Sequence, residues 1–360
     1  MAQGSESELM DRIAVLGPAL LRVLESLERA QRHLHPPMIA QLQTAMAPAG
    51  EQLAEAIASF ERVSPPPALP DFSQQMLTAS RAAHAAVSLF GESGEPEMAI
   101  VRVLGAMRAH CRAQEALFPL RRILPPVNRF FFEAHARDRL AELDPDAPTG
   151  AAVGLHNASN QLDARGGFSL YVPESYDGAR AWPLVVALHG GSGHGADFLW
   201  TWLREARSRQ FLLLAPTARG ATWSFNGPDL DAGALRSMVA FVCESWKVDP
   251  NRVLLTGLSD GATYSLVCGL QPDMPFSALA PLSGVLHPAN FANGNMDRAA
   301  GRRIYLVHGA LDWMFPVQIA RAAAQELEKA GADLVFREIE DLSHTYARDE
   351  NARILDWFLA

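Results

Sequence analysis

The sequence predicts an all-α helical bundle over residues 1–145, followed by a doubly wound α/β domain with a mostly parallel sheet over residues 151–360. Three observations predict this. Apolar residues recur every three or four positions through the first third. Short β-rich runs alternate with amphipathic stretches through the rest. Where the period changes, Asp144-Pro145-Asp146-Ala147-Pro148-Thr149-Gly150 crowds turn residues together.

In the first third, Ile13, Leu16, Leu20, Leu24 and Leu27 fall on one helical stripe after Leu9. Gly17-Pro18 should kink that helix. A second stripe starts after Pro36-Pro37 and takes in Ile39, Leu42, Met46, Leu53, Ile57 and Phe60, with an interruption expected at Pro48. The segment SPPPALP, Ser64 to Pro70, reads as a stiff extended break. Helical pattern resumes from Phe72 to Phe90 and from Glu95 to Leu120, with Gly91 and Gly94 between them, and again from Val127 to Leu143. Phe130, Phe131 and Phe132 in that last stretch are expected to be buried against the second domain, with an exposed substrate or partner patch as the alternative. Nothing in the bundle connects to chemistry. His33, His35, His84, His110 and His135 are scattered and suit ordinary surface or core positions.

In the remainder, strands are expected over Gly167–Val172, Pro183–His189, Phe211–Pro216, Arg252–Leu258, Phe276–Leu282, Ile304–His308 and Asp333–Ile339. Most are unbroken apolar strings, as in strands covered on both faces of a parallel sheet. Helices are expected over Ala196–Arg207, Leu230–Trp246, Ala262–Leu270, Val317–Ala330 and Ala347–Phe358.

The sharpest signal is Gly257-Leu258-Ser259-Asp260-Gly261, after the strand RVLLTGLS and before the helical ATYSLVCGL. A G-x-S-x-G turn between strand and helix strains the serine and lifts its hydroxyl above the sheet. Gly257 and Gly261 are needed because side chains there would meet the neighbouring strand and helix. A hydroxyl needs a base, and in folds built this way the partners follow in the order Ser, acid, His. Asp312 follows the strand IYLVHG, and His344 follows the strand DLVFREIEDL. Both then stand on the rim where α/β sheets bind ligands. Asp341 and Glu340 are weaker rivals for the acid.

A fourth element is Leu188-His189-Gly190-Gly191-Ser192-Gly193, after PLVVALHG. The backbone N–H of Gly191, with that of Asp260, suits an oxyanion hole. His189 and His308 are expected to have structural roles beside their glycines. Trp200, Trp202, Trp223, Phe225, Trp313, Met314 and Phe315 lie just after strand ends or in the loops above them and are the candidates for contact with substrate; Trp223 and Trp313 are the stronger two, and core packing is the alternative for the rest.

Composition narrows the partners. The formal net charge is -9 and hydrophobic residues make up 49% of 360. An acidic chain argues against nucleic acid and gives no pull toward anionic membranes. The N-terminus has no basic region leading into an apolar one, and no long apolar run is free of charge, so a cytoplasmic protein is expected. Cys111, Cys243 and Cys268 are odd in number and far apart. They read as reduced, buried thiols, with no ligand spacing for a structural zinc.

LVVALHGGSGHGADF, RVLLTGLSDGATYSL, LAPLSG, LVHGALDWMFPV and REIEDLSHTY together resemble the bacterial phospholipase/carboxylesterase family of the α/β-hydrolase superfamily, near the dienelactone hydrolases and feruloyl-esterase-like enzymes. The resemblance spans roughly Gly166 to Ala360. It implies a serine carboxylic ester hydrolase with Ser259, Asp312 and His344 as its triad. Acyl transfer by such a triad needs no metal or organic cofactor, and an aromatic pocket would favour small or aryl esters. Dienelactone hydrolases use Cys as nucleophile, and the serine here fits simple esters better. Thioester or peptide cleavage on the same scaffold is the alternative, and an assembly protein dominated by the helical domain is another. The added bundle suits either a cap over the active site or a homo-oligomer contact.

Overall fold

The computed structural model describes residues 2–63, 70–92, 99–146 and 151–360. Residues 64–69 of the expected break, Gly94, the start of the helix expected from Glu95, and 147–150 of the expected boundary lie outside them. The chain forms two compact units, Met1–Glu133 and Ala134–Ala360.

The first unit is helical. Its long helices are α1 (Ala2–Arg32), α2 (Ile39–Phe60), α3 (Pro70–Gly91) and α4 (Ala99–Leu117), and α5 (Pro125–Phe130) is short. Helix α1 runs on through Pro18, and α2 through Pro48. The interruption expected at Pro48 therefore does not occur. A proline inside a helix removes one hydrogen bond, but the buried stripe of Met46, Leu53, Ile57 and Phe60 runs past it on both sides. The helix expected over Val127–Leu143 is instead broken into α5, a 3-10 turn (Ala134–Ala136) and α6 (Leu140–Leu143). Phe130, Phe131 and Phe132 are all buried, and Phe131 meets Phe118 and Phe130 edge-on with ring centroids 5.0 Å apart in each pair.

The second unit is an eight-stranded sheet. Its strands are β1 (Gly154–Ala158), β2 (Phe168–Val172), β3 (Trp182–Leu188), β4 (Leu212–Pro216), β5 (Val248–Leu258), β6 (Ala278–Leu282), β7 (Arg303–Gly309) and β8 (Asp333–Ile339). Their spatial order is β1-β2-β4-β3-β5-β6-β7-β8. Strands β1 and β2 pair antiparallel, β2 pairs antiparallel with β4, and every other pairing is parallel. Between the strands lie α7 (Gly195–Phe198), α8 (Leu203–Arg209), α9 (Ala232–Ser245), α10 (Asp260–Gly269), α11 (Ala289–Ala292), α12 (Val317–Lys329) and α13 (Glu350–Leu359). Every residue of β2, β3, β4 and β6 is buried, which is why these strands read as unbroken apolar runs. Strand β1 escaped the sequence reading because GLHNA is an edge strand that alternates half-buried and exposed positions.

No cysteine forms a disulfide among the described residues, and only Cys268 is buried. Burial was expected of all three; Cys243 lies on the exposed face of α9 and Cys111 is half-buried.

Asp144 shows why the segment after α6 belongs with the sheet. Its Oδ1 lies 3.0 Å from Arg207 Nη2, and Arg207 Nε lies 3.5 Å from Glu174 Oε2. The Arg207 side chain is wholly buried, and Glu174 accepts the Tyr171 hydroxyl as well. Removing one partner from a buried charge cluster leaves the rest uncompensated. Arg207→Met should lower unfolding stability by about 3–5 kcal/mol, read from urea denaturation; a change well below 1 kcal/mol would contradict the cluster's role.

Candidate active site

Strand β5 ends at Leu258, α10 begins at Asp260, and Ser259 between them has φ 55° and ψ −116°. A positive φ in a non-glycine residue is unfavourable by roughly 1–3 kcal/mol and persists only where the surroundings enforce it. Here two glycines allow the enforcement. A Cβ on Gly257 would stand 2.5 Å from the Gly261 carbonyl carbon, and one on Gly261 would stand 2.4 Å from Leu188 O. Side chains at either place would lift α10 off β5 and β3.

The His344 and Asp312 loops reach the same edge. His344 Nε2 is 3.0 Å from Ser259 Oγ, and His344 Nδ1 is 2.8 Å from Asp312 Oδ2. The other carboxylate oxygen of Asp312 accepts the backbone N–H groups of Met314 (2.9 Å) and Phe315 (2.7 Å). With Nδ1–H donating to a carboxylate, Nε2 is left as the acceptor facing the serine hydroxyl. The rivals Glu340 and Asp341 are both exposed. The three residues predicted as nucleophile, acid and base are thus joined in one hydrogen-bonded chain.

Residues 232–359 match the family model described as Phospholipase/Carboxylesterase. Among curated proteins, a probable feruloyl esterase C of Aspergillus terreus is 26% identical over 178 residues, covering 47% of this chain and 62% of its own. A probable feruloyl esterase C of Aspergillus clavatus is 27% identical over 187 residues, covering 49% of this chain and 65% of its own. The match thus spans less than two thirds of the length of either relative. A thermostable esterase of known structure is 20% identical, with 57% of this chain and 62% of its own covered and a TM-score of 0.47.

The Asp312 side chain is fully buried. Burial alone would raise its pKa. The hydrogen bond from His344, the Phe315 N–H and the nearby imidazoles of His344 and His308 outweigh that, and the carboxyl is held below its ordinary range. His308 serves this loop directly, with Nε2 2.8 Å from Phe315 O and 3.5 Å from Asp312 Oδ2.

The HGG turn runs along the serine elbow. A Cβ on Gly190 would lie 3.6 Å from Ser259 Cβ, and one on Gly191 would lie 2.6 Å from Asp260 Oδ2. Gly193 N–H closes the turn on Gly190 O at 3.0 Å. Among the described residues, no acceptor pairs with the N–H of Gly191 or of Asp260. His189 is a strut beneath the turn: its Nε2 accepts the Ala218 N–H (3.1 Å), and its Nδ1 lies 2.7 Å from Gly190 O. The sequence reading missed Thr222, whose hydroxyl donates to Asp260 Oδ2 at 2.5 Å. No motif surrounds Thr222, and only the fold brings its loop to the elbow.

The pocket candidates divide. Phe315 stands edge-on to His344, ring centroids 5.3 Å apart, and Trp313 is also edge-on at 6.4 Å. Trp313 and Met314 are exposed beside them. The expectation that Trp223 lines the pocket is overturned. It is 2% exposed, its indole N–H donates to His189 O, and its ring stacks on Tyr264. A loop tryptophan looked available, but its ring sits under the HGG turn as part of the core. Trp200 and Trp202 are buried, and Phe225 packs half-buried beside His287.

The depressed Asp312 pKa has a linked consequence. A carboxyl with a lowered folded-state pKa contributes stability that is present above its unfolded value, about 4, and is lost as pH falls through the folded value. The stability gap between wild type and Asp312→Asn should therefore be wider at neutral pH than in acid well below that value. Urea unfolding at the two conditions checks this; a gap that does not change with pH contradicts it.

Proposed function

We propose that the protein is a serine carboxylic ester hydrolase that cleaves small or aryl esters through an acyl-enzyme on Ser259. The observation that carries this reading is the hydrogen-bonded chain Ser259–His344–Asp312 at the C-terminal edge of a parallel sheet. His344 Nε2 takes the hydroxyl proton as Ser259 Oγ attacks the ester carbonyl. Asp312 holds the imidazole in the acceptor tautomer and balances its charge once protonated. The N–H groups of Gly191 and Asp260 meet the developing oxyanion. His344 then gives its proton to the departing alkoxide. Water attacks the acyl-enzyme with His344 again as base, releasing the acid and free serine. The relay draws on no metal and no organic cofactor.

Two observations support esters with an apolar or aromatic part. Trp313 and Met314 present exposed apolar surface beside the imidazole, with the Phe315 ring edge-on to it. The curated relatives bear the name feruloyl esterase.

Turnover of p-nitrophenyl acetate should fall to background in Ser259→Ala, a loss on the order of a millionfold. Equal hydrolysis by both proteins would end the assignment. On matched ester, thioester and peptide substrates the ester should be cleaved fastest, and a faster thioester or peptide would reassign the substrate class.

A further inference from the structure

The turn that carries Gly191 is itself strained. Ser192, its next residue, has φ 56°, a left-handed conformation that the surroundings must hold in place. The hydrogen bonds around it show how. Ser192 N–H donates to Ala221 O at 2.9 Å, and Trp223 Nε1–H donates to His189 O at 2.8 Å. With Ala218 N–H on His189 Nε2 and Thr222 on Asp260, the loop after β4 is laced to the HGG turn and to the serine elbow. One side chain bridges both loops from a third segment. Arg165, just before β2, donates from Nη1 to Gly193 O at 2.7 Å and from Nε to Gly220 O at 2.9 Å, and Nη2 also reaches Gly220 O. Nearby, His194 Nε2 lies 3.1 Å from Ala164 O and packs the same segment beneath the turn.

We propose that Arg165 is a positioning residue for the oxyanion hole, its guanidinium clamping the Gly193 and Gly220 carbonyls so that the Gly191 N–H faces the carbonyl attacked by Ser259. The assignment rests on the ester-hydrolysis reading above. The chemistry suits arginine in particular. A planar fork with several N–H donors can serve two carbonyls at once, whereas a lysine ammonium is a single point charge on a flexible stem. Arg165 touches neither the nucleophile nor the imidazole in any of these bonds, so its effect passes through backbone geometry. It is also half-exposed, so its removal spares the core.

A donor aimed at an oxyanion matters in the transition state and hardly at all when substrate first binds. Arg165→Met should therefore lower kcat for p-nitrophenyl acetate by about 10- to 100-fold, with KM within about twofold. Affinity for a trifluoromethyl ketone, whose hemiketal adduct carries the oxyanion, should fall in parallel. Arg165→Lys keeps the charge without the fork and should lose turnover as well; it also carries the test if the methionine variant does not fold. An active wild type whose Arg165 variants keep wild-type kcat and ketone affinity overturns the assignment alone. So does a variant in which KM rises and kcat holds. A wild type that hydrolyses no ester overturns the functional reading, and this assignment falls with it.

Discussion

The site depends on one backbone constraint: Ser259 is held at a positive φ between β5 and α10, a conformation a serine does not choose for itself. The two glycines on either side let the helix and the next strand close to within backbone contact and keep it there. If that contact opened by the width of one methyl group, the hydroxyl would swing away from the imidazole at 3.0 Å. The sheet therefore does more than support the loops. Its parallel strands β3, β5, β6, β7 and β8 end along one edge, and the residues that follow β3, β5, β7 and β8 supply the HGG turn, the serine, the carboxylate and the imidazole in turn.

Electrostatics complete what the backbone begins. A buried carboxylate is unfavourable unless its oxygens are hydrogen-bonded. Asp312 meets that condition with two backbone donors on one oxygen and His344 on the other. The same bonds orient the imidazole. Charge stabilisation and tautomer selection are thus one arrangement, and His308 buttresses it through the Phe315 carbonyl. The HGG turn is held by its own His189, whose Nε2 accepts the Ala218 N–H, and by side chains from sequence-distant segments, Thr222 through Asp260 and Arg165 across both loops.

Much of this was legible in the sequence, for physical reasons. Strands buried on both faces leave long apolar strings, so seven of the eight strands in the sheet were found and the half-exposed edge strand GLHNA was not. A tight turn between strand and helix leaves its glycines in the sequence because no other residue fits there, and the elbow at Ser259 was legible on that account. Asp312 and His344 were found by their order along the chain and their place after strands. What escaped had no local signature. Trp223 resembled an open loop residue until the fold tucked it under His189. Thr222 and Arg165 act through partners 38 and 28 or 55 residues away, and spacing along the chain carries no trace of such contacts. The helical stripe of α2 overrode Pro48 because packing on both sides outweighed a lost hydrogen bond.

The most direct test of the central claim is covalent. Incubation with a fluorophosphonate, followed by intact-mass measurement and peptide mapping, asks whether the hydroxyl at 259 is a nucleophile and whether the imidazole makes it one. One adduct per chain, mapped to Ser259, is expected, with a labelling rate that collapses in His344→Ala. Labelling at another residue, or an equal rate without the imidazole, would contradict it.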